Sequence, residues 1–276
     1  MAAGDAPPIT DYKEQKVRNR IRALILDMDG VLWRGEEPVP GLVDFFALLH
    51  ERGIRYIMAT NNASKTPEQY VDQLARFGVH VPPEAVLTSA QATASFLRRQ
   101  APPGTPVYII GEEGLRRALA EAGFVLSADG ARYVVVGWDR GLTFEKLAQA
   151  TLLIRAGAVF IGTNPDRTWP GERGLLPGNG AILAALEAAT DTRPIIIGKP
   201  ETPLFEEALA RLGASPEETA MVGDRLETDI LGGQRMGLFT ILVLSGVARR
   251  EDLEAGPARP DLVLEDLTAL TAWLKG

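Results

Sequence analysis

The sequence predicts an α/β protein: a doubly wound parallel sheet carrying a large α/β insertion. Three observations point there. Short apolar runs rich in β-branched residues recur along the chain, and they are continuous rather than alternating, as in strands buried on both faces. Segments with helical spacing and clear start signals lie between the runs. Acids, glycines and threonines follow the runs directly, where open α/β sheets collect their ligands at the carboxyl ends of the strands.

The runs are Ala23–Leu26, Tyr56–Ala59, Val86–Leu87, Val107–Ile110, Val134–Val136, Val159–Ile161, Ile195–Ile197, Ala220–Val222, Thr240–Leu244 and Leu262–Leu264. Thr66-Pro67-Glu68-Gln69 supplies an N-cap, a proline at the first helical position and a capping-box glutamine. Leu74 and Phe77 continue that helix on one apolar face, and Gly78 stops it. Thr202-Pro203 opens a second helix through Leu209 and Leu212 to Gly213. Ser215-Pro216-Glu217-Glu218 repeats the same start and predicts a third.

Composition narrows the class. With 46% hydrophobic and 24% charged residues, a core forms without staples. No cysteine is present, which excludes disulfides, zinc–thiolate sites and cysteine nucleophiles, and fits a reducing cytoplasm. A net charge of −7 argues against nucleic acid as a partner, since phosphate backbones need basic stripes. The apolar runs are too short to span a membrane, and MAAGDAPPITDYKEQ lacks the apolar core of a signal peptide. Residues 1–19 read as a disordered or extended tail, and a cytoplasmic location is expected.

The chemistry concentrates where apolar runs end. Ala23–Leu26 leads into Asp27-Met28-Asp29-Gly30, two acids that are costly at a buried strand end unless a cation or hydrogen bonds compensate them. Gly30 permits a sharp turn that offers backbone amides to a ligand. Ala220–Val222 leads into Gly223-Asp224-Arg225-Leu226-Glu227-Thr228-Asp229. If these strands are neighbours, Asp27, Asp29 and Asp224 converge, and all-oxygen ligation with no His or Cys suits Mg²⁺. Tyr56–Ala59 ends in Thr60-Asn61-Asn62, with a hydroxyl, carboxamides and backbone amides for an anion. Ile195–Ile197 leads through Gly198 to Lys199-Pro200, a point charge for a phosphate oxygen. Taken singly, DxD is turn chemistry and Lys-Pro a surface lysine; four such segments in order are another matter.

In this order, Asp27-Met28-Asp29-Gly30-Val31, Thr60-Asn61-Asn62, Gly198-Lys199-Pro200 and Gly223 to Asp229 resemble the four motifs of haloacid-dehalogenase-superfamily phosphatases. The likeness is to the NagD-like or 4-nitrophenylphosphatase branch, which Trp33, Thr163-Asn164-Pro165-Asp166 and Pro177-Gly178-Asn179-Gly180 also resemble. The resemblance implies Asp27 as nucleophile forming an aspartyl-phosphate, and Asp29 as general acid and then base. It implies Mg²⁺ on Asp27, the Asp29 carbonyl and Asp224, and phosphate held by Gly30, Thr60, Asn61 and Lys199. Asp229 would orient a metal water or Lys199. An acid at position 29 favours phosphoryl transfer over dehalogenation, because a halide leaves without a proton.

Between Asn62 and Lys199 the chain is long enough for a folded cap. The expected division is a core of residues 20–89 and 196–276 with a cap of residues 90–195. Asn62, Asp166 and Trp169 are the expected substrate-specificity residues, and a small phosphorylated metabolite is the expected substrate. Dimerisation through the cap is an expectation of the resemblance. Two alternatives stand beside hydrolysis: a phosphotransferase or phosphomutase with the same aspartyl-phosphate, and a phosphoacceptor module without turnover. His50 and His80 read as surface residues, and Ser245-Gly246 lacks the GxSxG of a serine hydrolase.

Overall fold

The computed structural model describes residues 15–171 and 174–276. Every one of the ten runs lies in a strand or at its end. Six of them build one parallel sheet: β1 (Ala23–Leu26), β4 (Arg55–Thr60), β5 (Val86–Thr88), β13 (Thr219–Gly223), β14 (Phe239–Val243) and β15 (Leu262–Leu264). Their order is β15-β14-β13-β1-β4-β5. β1 is central, with Leu26 beside Val222 of β13 on one side and Met58 of β4 on the other. The chain winds away from β1 in both directions, so the crevice between β1 and β13 is the topological switch point.

Alternate residues of β1 enter opposite cores. Ala23 and Ile25 pack with Leu204, Phe205 and Ala208 of the helix Thr202–Leu212. Leu24 and Leu26 pack with Phe45 and Leu49 of Leu42–Glu51 and Leu270 of Leu267–Lys275. Burial on both faces is the physical cause of the continuous apolar runs. The helix Pro67–Arg76 starts at the predicted capping box, with the Thr66 N–H donating to Gln69 Oε1 at 2.9 Å.

A second parallel sheet lies within the insertion. Its strands are β6 (Pro106–Ile110), β7 (Val125–Leu126), β8 (Tyr133–Val136), β9 (Val159–Gly162) and β12 (Ile195–Ile196), in the order β12-β9-β8-β6-β7. Ile195 and Ile196 thus pair with β9, on the insertion's sheet, although the sequence division put residue 196 in the core. The helix Ser89–Arg98, on which that division began the cap, buries Ala90, Ala94 and Leu97 in a cluster shared by both sheets. Two short antiparallel hairpins, β2–β3 (Trp33–Arg34, Glu37–Pro38) and β10–β11 (Thr168–Gly171, Gly174–Pro177), complete the strands.

Two expectations are corrected. Ser215-Pro216-Glu217-Glu218 makes only a 3₁₀ turn over Pro216–Glu218, because the fully buried strand starting at Thr219 claims the next residues. The tail expected over residues 1–19 lies outside the described residues for 1–14. Residues 15–18 are helical, and the Arg18 guanidinium donates to Trp273 O at 3.2 Å.

Candidate active site

The sheet register explains why the acids meet. Pairing of Leu26 with Val222 places Asp27 and Asp224 just beyond adjacent strand ends, and the Asp27 N–H donates to Val222 O at 2.8 Å. One cavity of about 460 Å³ opens there. It is lined by every site residue singled out in the sequence, from Asp27, Asp29 and Gly30 through Thr60, Asn61 and Asn62 to Asp166, Trp169, Lys199, Asp224 and Asp229.

Lys199 is the hub. Its buried ammonium lies 2.5 Å from Asp27 Oδ1 and 2.7 Å from Asp229 Oδ1, and donates to Ala59 O at 3.1 Å. Burial alone would lower its pKa, but Asp229 and Asp27 outweigh this and hold it above that of an ordinary lysine. The remaining oxygen of Asp229 accepts from the Asp224 and Arg225 amides at 3.2 and 3.1 Å. Both Asp229 oxygens are therefore engaged, and its position is that of a lysine-orienting group.

One ammonium faces three carboxylates whose oxygens lie within 4.8 Å of one another. Burial pushes the Asp27 carboxyl well up, Lys199 opposes, and Asp229 and Asp224 add to the rise. Asp224 is pushed up to about 6 by burial and by Asp229. Asp224 Oδ2 accepts from the Val247 amide at 2.7 Å, while its buried Oδ1 has no hydrogen-bond partner among the described residues. An orphaned buried carboxylate oxygen beside Asp27, with oxygen donors only, fits a hard divalent cation.

Gly30 has φ +87°, and a side chain there would drive into the Asp224 carboxylate. Asp29 is exposed to the cavity, and Trp33 Nε1 donates to its Oδ1 at 2.9 Å, fixing the carboxyl. Thr60 Oγ1 accepts from the Asn62 amide at 3.1 Å, which leaves its own proton to donate.

Two of the expected site side chains also bond each other. Asn61, expected to grip phosphate, lines the cavity with its carboxamide bonded to Lys199 and Asp166. Nδ2 donates to Lys199 O at 3.0 Å and Asp166 Oδ1 at 3.1 Å, and Oδ1 accepts from the Lys199 amide at 2.7 Å. Asp166, expected at the substrate, spends one oxygen on Asn61; its pKa is raised by burial against that hydrogen bond. Trp169 lines the cavity and stacks on Trp138 with ring centroids 5.0 Å apart, which covers one face of its indole. Asn62 Oδ1 accepts from the Ser64 amide at 2.8 Å and hydroxyl at 2.7 Å.

Comparison with known proteins agrees with this geometry. A family profile described as haloacid dehalogenase-like hydrolase matches residues 24–125, and a HAD-hydrolase-like profile matches residues 196–270. An acid sugar phosphatase of Staphylococcus aureus is 44% identical over 92% of this chain and 98% of its own. The chain belongs to the haloacid dehalogenase-like hydrolases. The crystal structure of a 4-nitrophenylphosphatase from Thermotoga maritima covers 93% of this chain and 98% of its own, with TM-score 0.89 and 36% identity. A glycerol phosphate phosphatase from Mycobacterium tuberculosis, solved in complex with magnesium, is 37% identical with TM-score 0.84 over 92% of this chain and 77% of its own. The protein is a phosphatase of the 4-nitrophenylphosphatase and NagD-like branch.

Three features of the phosphatase escaped the sequence reading. Tyr70, stacked on Trp33, brings a buried hydroxyl to the cavity wall beside Thr60, and burial raises its pKa. Its hydrophobic-face position concealed it. Arg225, next to Asp224, also lines the cavity; burial would lower its pKa, but Asp224 and Asp166 more than offset this. Ser245 Oγ donates to Gly30 O at 2.7 Å, tying the loop after β14 to the nucleophile turn. A Ser-Gly following an apolar run was the available signal for that loop.

The Asp224 pKa gives a signed prediction. Its folded value, about 6, exceeds the ordinary aspartate value of 3.8, so ionised Asp224 weakens the metal-free fold. Protonated Asp224 carries that stability, which is full below the ordinary value and is lost as pH rises through about 6. A divalent cation held there would favour the ionised form and displace the proton. The rise in Tm on adding Mg²⁺ is therefore expected to be large at about pH 7.5 and small at about pH 5. Differential scanning fluorimetry measures this, and equal shifts at both pH values would contradict it.

Proposed function

We propose that this phosphatase hydrolyses small phosphate monoesters in a Mg²⁺-dependent reaction through a phosphorylated Asp27. The observation that carries the reading is the buried Asp27–Lys199–Asp229 chain beside the orphaned Asp224 oxygen, all opening on one cavity. Asp27 and Asp224, with the Asp29 main-chain carbonyl, would hold Mg²⁺. The ion would neutralise phosphoryl and carboxylate charge in the transition state.

The chain's own residues divide the work. A carboxylate oxygen of Asp27 attacks phosphorus, and the bond from phosphorus to the ester oxygen breaks. Asp29 gives that departing oxygen a proton. Lys199 and the Thr60 hydroxyl stabilise the phosphoryl oxygens. In the second half, Asp29 takes a proton from water, whose oxygen attacks phosphorus and releases inorganic phosphate from Asp27. Trp33 keeps the Asp29 carboxyl aimed through both proton transfers.

Size supports small substrates. A cavity of about 460 Å³ lies in the range of small-molecule sites, and the β10–β11 hairpin carrying Trp169 walls one side. Relatives named an acid sugar phosphatase, a glycerol phosphate phosphatase and a 5'-nucleotidase support a small phosphate monoester as the substrate here. No helix among the described residues is long and apolar enough to cross a membrane.

The test is phosphate release from a panel of sugar, polyol, nucleotide and aryl phosphates, with Mg²⁺ and with chelator. The expected result is release that stops with chelator and returns with Mg²⁺. Metal-independent release, or none from folded protein, would sink the reading.

A further inference from the structure

The cap segments around Asn164 and Asn179 have no part in the mechanism above, yet both are buried and both connect to the catalytic lysine by successive bonds, each from one asparagine side chain to the main chain of the next residue. Asn179 opens the helix Asn179–Thr190. Its Nδ2 donates to Asn164 O at 2.8 Å and to Val136 O, at the end of β8, at 3.2 Å. Its own Oδ1 is buried without a partner among the described residues. A buried carbonyl left unpaired is a cost, and it points to an amide placed for what its donor end holds.

Asn164 continues the chain. Its Nδ2 donates to Asn61 O at 2.7 Å, and its Oδ1 accepts from the Asp166 amide at 3.1 Å. Asn61 then clamps Lys199 on both sides of its main chain, through the Lys199 amide at 2.7 Å and carbonyl at 3.0 Å. Lys199 ends the chain on Asp27. The packing admits no slack. Gly198 donates its amide to Thr163 O at 2.9 Å, and a methyl group at Gly198 would sit 2.6 Å from that oxygen and 3.1 Å from Asn164 Cβ.

We infer that Asn164 and Asn179 are positioning residues for catalysis: this buried asparagine chain from the cap fixes the Lys199 backbone, and so sets where the ammonium meets Asp27 and the phosphoryl group. Neither side chain lines the cavity. They act through Asn61 and Lys199. Supporting groups one layer out from a reactive site are typically worth roughly 10- to 100-fold in activity. The inference rests on the phosphatase reading of the same site.

The experiment is a double-mutant cycle with 4-nitrophenyl phosphate, reading kcat and KM separately. Asn164→Ala is expected to lower kcat roughly 10- to 100-fold with KM changed by less than about threefold. In a Lys199→Ala background the same substitution is expected to cost less than about twofold, because its target is gone. Asn164→Asp keeps the shape and the acceptor but loses the donor to Asn61 O, and should reproduce the kcat loss if the alanine variant folds poorly. Arg117→Ala breaks the exposed cap–core pair with Glu68, 3.0 Å long, and should leave kcat unchanged.

Wild-type kcat in Asn164→Ala and Asn164→Asp would overturn the inference. So would an equal loss with and without Lys199, or a matching loss in Arg117→Ala, which would make general cap anchorage the cause. Absence of phosphate release from the wild type would instead strike the activity itself, so the two failures are distinguishable.

Discussion

Asp27→Asn is expected to lower phosphate release by about 10⁴-fold or more, the scale seen when a catalytic nucleophile is removed. The metal-free fold should not suffer. Asp27 is one of three carboxylates gathered around one ammonium, and burial and its acidic neighbours already disfavour its charge. A neutral carboxamide of the same shape relieves that repulsion, while Lys199 keeps its 2.7 Å contact with Asp229. Without metal, the Tm of Asp27→Asn is therefore expected to equal or exceed that of the wild type, an instance of an active site held at the expense of stability. With Mg²⁺ the order should reverse, since one ligand is lost. Calorimetry with and without Mg²⁺, alongside the activity assay, checks both halves. Retained turnover would remove Asp27 as nucleophile.

The second large effect belongs to Asp29 and depends on the leaving group. Asp29→Asn should cost roughly 10²- to 10⁴-fold with alkyl phosphates, whose departing alkoxide needs a proton. The cost to the first step should be far smaller with 4-nitrophenyl phosphate, because the nitrophenolate leaves as a stable anion. Trp33 Nε1 still has an amide oxygen to meet at position 29, so the side chain's placement survives the change. The second step keeps its need for a base whatever the leaving group was. Steady turnover therefore falls for both esters, and only the aryl ester should give a burst of one nitrophenolate per site. Equal losses with both esters, and no burst, would remove Asp29 from proton transfer.

The sequence was most informative where burial on two faces wrote a continuous pattern. β1 and β13 read clearly because Leu24 and Ile25, like Ala220 and Met221, must each be apolar to satisfy a different core. The acids after these strands read clearly because two such strand ends, with Thr60 and Lys199 after two more, recur in one order. What the pattern hid was pairing. The two-residue strands Val125–Leu126 and Trp33–Arg34 are too short to show any period. Ser215-Pro216-Glu217-Glu218 carries a helix start, yet the strand beginning at Thr219 wins through tertiary burial that local propensity does not contain.

Side-chain partners were hidden for a related reason. Asn61 sits in a phosphate-loop motif, but its carboxamide is satisfied by Lys199, 138 residues away. Asp166 is satisfied by Asn61 across 105 residues. A residue type at a motif position says which bonds it can form, and only the fold says which are already taken. The motif residues were legible from their neighbours in sequence, whereas their roles depend on neighbours in space.

The central claim is a phosphoryl group carried by Asp27, and the most direct measurement is to trap it. Asp29→Asn protein mixed with 4-nitrophenyl phosphate and Mg²⁺, quenched in acid and digested, would be read by peptide mass spectrometry. The expected result is a phosphorylated peptide that maps to Asp27 and is absent from Asp27→Asn. Nitrophenolate release with no covalent adduct on the protein, or with the adduct on another residue, would contradict it.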